Sequence, residues 1–174
     1  MTEGRVVITG FMGAGKTTVG RALARLLEVP FQDLDDAVAE SEGRGPRELI
    51  DAEGEDYFRA AETRALQRVL EACTARVIST GGGAWTFERN RALVNAHGCL
   101  AVWLDAPFEL CLRRIEECGG ASERPFARDP ARARELYEAR LAAYGLADLR
   151  VRVAPEASVE ELAASVAAAL AAAP

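Results

Sequence analysis

The chain is nearly without lysine: of its 21 basic residues only Lys16 is a lysine, and the others are arginine. The net charge is −6 and no basic block occurs, which argues against a surface built to neutralise nucleic-acid phosphates. Histidine occurs once, at His97, just before Gly98. That place suits a helix end, so a capping or surface role is expected of it rather than catalysis. The four cysteines, Cys73, Cys99, Cys111 and Cys118, show no C-x-x-C spacing. They read as small buried thiols of a reducing compartment, with Cys111 and Cys118 sharing one helix face. No apolar run reaches the length of a bilayer span. Thr2-Glu3-Gly4-Arg5 leads straight into an expected strand, with no apolar leader. Neither linker nor internal repeat is visible. The expectation is one cytoplasmic domain over residues 1–174, long enough to bury a good core and without nucleic-acid or membrane partners.

What is present begins with Gly10-Phe11-Met12-Gly13-Ala14-Gly15-Lys16-Thr17-Thr18, which fits G-x-x-x-x-G-K-[ST]. The apolar run Val6-Val7-Ile8 precedes it and an amphipathic stretch follows, so the motif has its required context of strand, glycine loop and helix. A loop with little side-chain bulk turns successive backbone N–H groups around an anion, and the following helix points its positive dipole end at the same place. Lys16 supplies a cation near the β/γ-phosphates, and Thr17 a hydroxyl for Mg²⁺. In a chain so biased toward arginine, lysine at this position indicates a site that needs a compact ammonium on a flexible stem.

Along the chain, strands are expected at Arg5–Thr9, from Phe31 into the carboxylates Asp33, Asp35 and Asp36, and at Arg76–Ser79, Cys99–Leu104 and Leu149–Val153. Helices are expected at Thr17–Leu27, Ala37–Glu42, from Pro46 to Ala52, and at Glu55–Cys73, Phe87–Ala96, Pro107–Cys118, Ala131–Tyr144 and Val159–Ala173. In the first helix Val19, Leu23, Leu26 and Leu27 form the apolar face, and in the last Ser158 and Glu161 form a capping box. The alternation argues a doubly wound α/β fold with about five parallel strands.

Ligands of open α/β sheets bind beyond the carboxyl ends of the strands. Asp33 and Asp35 lie there, with one carboxylate suited to hold Mg²⁺ through water and the other to take a proton from an alcohol. The competing role is a helix N-cap at Asp35 or Asp36. Thr80-Gly81-Gly82-Gly83 follows the third strand; three glycines exceed what a tight turn needs and leave backbone N–H groups bare. Arg59, Arg124 and Arg140 are each read as solvated surface residues when taken singly, but an anionic co-substrate needs such guanidinium forks. Residues 119–130 are polar and aperiodic, and a loop carrying an arginine is a common way to close on a transferring phosphate.

These motifs together resemble the shikimate kinases, small P-loop enzymes of the nucleoside-monophosphate-kinase-like group, over essentially the whole chain. The residues that carry the resemblance are the phosphate loop extended to Val19-Gly20, Asp33-x-Asp35, Gly54-Glu55 with Phe58-Arg59 and Glu62, Thr80 to Gly83, Arg124-Pro125, and Arg140 with Tyr144. The resemblance implies a three-layer P-loop kinase fold with a five-stranded parallel sheet flanked by helices, a substrate-binding helical region at about residues 35–62 and a lid at about 119–130. It implies phosphoryl transfer from MgATP to the 3-hydroxyl of shikimate, in aromatic amino acid biosynthesis, by a monomer. Gly13, Ala14, Gly15, Lys16, Thr17, Thr18 and Arg124 would hold ATP, with Thr17 and Asp33 at the Mg²⁺. Asp35, Arg59, Gly81, Gly82, Gly83 and Arg140 would hold shikimate, with Lys16, Asp35 and Arg124 catalytic. An arginine stacks on adenine in relatives, and the candidates here are Arg113 or Arg114, between which the sequence does not choose.

The chain departs from the family pattern at Pro46, Ile50, Phe126-Ala127 and Ala142, and in a slightly long lid approach from Ile115 to Glu123. None of these removes a charged or phosphate-contacting group, but together they leave room for a shifted substrate preference. The competing functions are a related gluconate or nucleotide kinase and a non-catalytic sensor that binds ATP or a small acid. The Arg59/Arg140 pair suits a carboxylate, and the complete set of Lys16, Thr17, Asp35 and Arg124 argues against a sensor.

Overall fold

The order of the strands in the sheet decides where a ligand can sit. The computed structural model describes residues 4–117 and 129–173. Five parallel strands, β1 (Val6–Thr9), β2 (Phe31–Asp33), β3 (Val77–Ser79), β4 (Leu100–Asp105) and β5 (Leu149–Arg152), lie in the order β2-β3-β1-β4-β5. All four residues of β1 are buried, as expected of the central strand of a sheet covered on both faces.

The helices are α1 (Lys16–Leu27), α2 (Leu34–Glu42), α3 (Pro46–Glu53), α4 (Glu55–Ala72), α5 (Glu88–Ala96), α6 (Phe108–Glu117), α7 (Pro130–Tyr144) and α8 (Val159–Ala172). A 3₁₀ turn at Ala84–Thr86 precedes α5. Right-handed crossovers dictate their layers. The chain leaves β1 toward β2 through α1, then returns through α4 to β3 and continues through α5 to β4. The reversal puts α1 on one face, where it packs against α8, and α4 and α5 together on the other. The outgoing connections of β1 and β3 therefore part to opposite faces, and the crevice between these neighbouring strands is the switch point at which such sheets bind ligands.

Helix boundaries follow local chemistry. Ser158 caps α8, accepting from the Glu161 N–H while the Glu161 carboxylate accepts from the Ser158 N–H at 2.8 Å, which is the expected capping box. His97 stands at the C-cap of α5 with Nδ1 2.8 Å from Leu93 O, the expected role.

Four expectations need correction. The second strand stops at Asp33, so Asp35 and Asp36 lie in the first turn of α2. The cap of that helix is neither of them but Asp33, whose carboxylate accepts the Asp35 N–H at 2.9 Å. A carboxylate that satisfies an orphan N–H two residues on starts a helix at once. Leu26 and Leu27 are 56% and 40% exposed, because they fall in the last turn of α1, beyond the helix residues that are covered. Cys73 is exposed at the left-handed C-cap of α4 (φ 54°), whereas Cys99 and Cys111 are buried as expected; Cys118 lies outside the described residues. Burial pushes the Cys111 thiol up to about 11 and raises that of Cys99 as well. Among the described residues, no helix is long and apolar enough to cross a membrane.

Candidate active site

The phosphate loop runs from the end of β1 into α1. Gly13 has φ 78°, and a Cβ on it would lie 2.5 Å from Cys111 O, so only glycine lets α6 lie this close to the loop. Gly15, also left-handed (φ 95°), turns the chain into α1, whose first residues are Lys16, Thr17 and the exposed Thr18. Their backbone N–H groups open the helix and so lie at its positive end. Lys16 is 9% exposed and folds back so that Nζ donates to Phe11 O at 2.9 Å. Ala14 is buried beneath the turn. Of the two candidate arginines on α6, Arg114 reaches this loop: its Nη1 donates to Gly13 O and Ala14 O, both at 3.3 Å.

Asp33 joins three elements. Its Oδ2 accepts the Thr17 hydroxyl at 2.7 Å and the Ser79 hydroxyl at 2.7 Å, while Oδ1 caps α2. Ser79 was not singled out in the sequence. It meets Asp33 because the two are partners in the parallel β2–β3 register, which no local pattern reveals. Among the described residues no group of three or more His, Cys, Asp and Glu side chains forms a metal cage. One hydroxyl beside one carboxylate is nevertheless a donor set that suits Mg²⁺, an ion that keeps waters and phosphate oxygens as its other ligands.

The loop after β3 gathers the acceptor side. A Cβ on Gly81 would lie 2.8 Å from Glu62 Oε1 and 3.2 Å from Asp35 Oδ1. One on Gly83 would lie 2.6 Å from Arg59 Nη2, and one on Gly82 would lie 3.2 Å from Met12 N and 3.6 Å from Arg140 Nη1. The missing side chains thus let Asp35 of α2, Arg59 and Glu62 of α4, Arg140 of α7 and the phosphate loop converge on one short stretch of backbone.

Arg59 lies near the rings of Phe58 and Phe87, 5.0 and 5.6 Å from their centroids. Its Nη1 donates to Glu62 Oε2 at 2.9 Å and its Nη2 to Glu55 Oε1 at 3.2 Å. The Glu62 side chain is fully buried, and its Oε1 has no hydrogen-bond partner among the described residues. Burial raises its pKa above the usual carboxylate range, with Arg59 pulling it back and Asp35 pushing it further up. In the sequence Glu62 and Tyr144 belonged to the family signature without a role. Here Glu62 orients Arg59, and the buried Tyr144 donates its hydroxyl to Gly82 O at 2.5 Å.

The structure thus brings together Gly13, Ala14, Gly15, Lys16, Thr17, Asp33, Asp35, Arg59, Gly81, Gly82, Gly83 and Arg140. Arg124, Pro125, Phe126 and Ala127 lie outside the described residues. Of the other departures, Pro46 is the first residue of α3, Ile50 is 38% exposed on that helix, and Ala142 lies on α7.

Comparison with known proteins places the chain in a family. The family model of shikimate kinase matches residues 12–171. The shikimate kinase of Ruegeria pomeroyi is 43% identical over 169 residues, covering 95% of this chain and 84% of that one. The solved structure of shikimate kinase from Acinetobacter baumannii in complex with shikimate is similar with a TM-score of 0.86 at 32% identity, covering 95% of this chain and 92% of that one. The structure from Aquifex aeolicus is similar with a TM-score of 0.82 at 35% identity, covering 96% of both chains. The chain belongs to the shikimate kinase family.

Proposed function

We propose that the chain transfers the γ-phosphoryl group of MgATP to the 3-hydroxyl of shikimate, giving shikimate 3-phosphate and ADP. The observation that carries this reading is the convergence of Asp35, Arg59 and Arg140 on the Gly81–Gly83 loop directly against the phosphate loop. Two cations and a carboxylate around bare backbone suit a small polyhydroxy acid, and Gly82 places that acid next to the phosphates.

Roles follow from position. The loop N–H groups and Lys16 hold the β- and γ-phosphates, with Thr18 contributing its backbone at the start of α1. Thr17 and Asp33 hold Mg²⁺, which when bound neutralises charge on the phosphate oxygens. Arg59 and Arg140 grip the carboxylate, and Gly81 to Gly83 meet the ring hydroxyls. Asp35 accepts the hydrogen bond of the attacking hydroxyl and takes its proton as the phosphoryl group leaves ADP. Arg124 meets the transferring phosphate from the lid, as the family resemblance assigns it. Phosphoryl transfer needs little covalent help from the protein, so alignment of the two substrates and stabilisation of charge supply most of the rate. The enzyme acts as a cytoplasmic, monomeric single domain.

The test is phosphorus NMR of the product formed from MgATP and shikimate. A phosphate monoester coupled to the ring proton at carbon 3 is expected; phosphorylation at another oxygen, or no ester, rejects the assignment.

A further inference from the structure

Tyr144 ends α7, four residues after Arg140, and is completely buried. Its hydroxyl donates to the carbonyl of Gly82, the residue at which the acceptor loop touches the backbone of the phosphate loop. Its ring stacks on Trp103 of β4, with centroids 6.0 Å apart and planes 29° apart. The strand packs against the ring, and the bond to Gly82 O gives the hydroxyl its direction. The Arg140 guanidinium lies beside that hydroxyl and would sit 3.6 Å from a Cβ on Gly82. One phenol thus touches the loop that meets the ring hydroxyls and adjoins the arginine assigned to the carboxylate.

We propose that Tyr144 is a positioning residue for the acceptor: its hydroxyl sets the height of the Gly82 carbonyl over the phosphate loop and the direction of the Arg140 guanidinium. The phenol is suited to the task because it stays a donor over the whole working range. Burial pushes it up to about 12 while Arg140 pulls the other way, so no titration at neutral pH breaks its bond to Gly82. A partly buried carbonyl that loses its protein donor is free to move. This inference rests on the reading of Arg140 as a carboxylate grip.

The experiment is Tyr144→Phe, which keeps the ring and removes only the hydroxyl, assayed by steady-state kinetics for both substrates. The shikimate KM is expected to rise about tenfold, with the ATP KM within about twofold of the parent. In an Arg140→Ala background the same change should raise the shikimate KM by clearly less, because part of its effect acts through that arginine. Trp103→Phe disturbs the same stack without touching the hydroxyl and is expected to leave the shikimate KM within about twofold. An unchanged shikimate KM in Tyr144→Phe, or an equal rise in Trp103→Phe, overturns the proposal in favour of packing alone. An unchanged shikimate KM in Arg140→Ala rejects instead the role of Arg140 on which the proposal rests, so the two failures are told apart.

Discussion

Arg59 donates to Glu62 at 2.9 Å, and the Glu62 carboxylate it holds is wholly enclosed. The pair fixes the guanidinium in front of Gly83, with Phe58 and Phe87 nearby. Arg59→Ala should therefore do two things. It should raise the shikimate KM at least about tenfold with the ATP KM within about twofold, since a charged grip on a carboxylate is lost. It should also destabilise the fold by about 3 kcal/mol, because it leaves a buried carboxylate without its partner. Arg140→Ala should reproduce the kinetic effect. Kinetics against both substrates, with a urea unfolding curve for Arg59→Ala, check this; a larger effect on ATP than on shikimate rejects carboxylate binding.

The raised pKa of Glu62 gives a signed pH dependence. Burial lifts its folded value above the unfolded one, so as pH falls the folded state takes up the proton first. The contribution of Glu62 to stability therefore improves as pH falls through the folded pKa, is complete below the ordinary carboxylate value, and is lost as pH rises. Thermal unfolding of wild type and Glu62→Gln between pH 7 and about pH 4 should show the Tm difference moving in favour of wild type as acid is added. A difference that moves the other way means that Arg59 outweighs burial.

Asp33 caps α2 and is proposed above to hold Mg²⁺, and the two roles separate in Asp33→Asn. Asparagine caps helices as well as aspartate does, so the Tm should stay within about 3 °C. The carboxylate charge beside Thr17 is lost, and the Mg²⁺ concentration that supports half-maximal rate should rise about tenfold. A magnesium titration of the initial rate decides; an unchanged requirement leaves Asp33 as a cap alone.

Asp35 lies 3.2 Å from where a Cβ on Gly81 would stand, close to the backbone proposed to meet the acceptor hydroxyls. Asp35→Asn keeps its size and removes its basicity, so kcat should fall about 10²-fold or more. Wild-type turnover in this variant removes Asp35 from proton transfer.

How much of this was legible in the sequence depends on the reach of each interaction. The phosphate loop was legible because its chemistry is contiguous: glycines, lysine and threonine act within nine residues of one another, from Gly10 to Thr18. The alternation of strands and helices was legible for the same reason. The local sequence points to Asp33 as a metal residue and to its neighbours as the cap, because the Thr17 and Ser79 hydroxyls that fix Asp33 come from other elements. Ser79 is legible only through the β2–β3 register. Glu62, Tyr144 and the choice of Arg114 over Arg113 at the phosphate loop depend on which helix face meets which loop, a property of tertiary packing. Leu26 and Leu27 continue an apolar stripe in a turn where its cover has ended.

The measurement closest to the central claim is the rate of ADP formation from MgATP with shikimate, gluconate, a nucleoside monophosphate or no acceptor. ADP release that depends on shikimate, with kcat/KM at least about 10²-fold above that for the other acceptors, is the expected result. Equal rates with and without shikimate, or a preference for gluconate or the nucleotide, contradict the account.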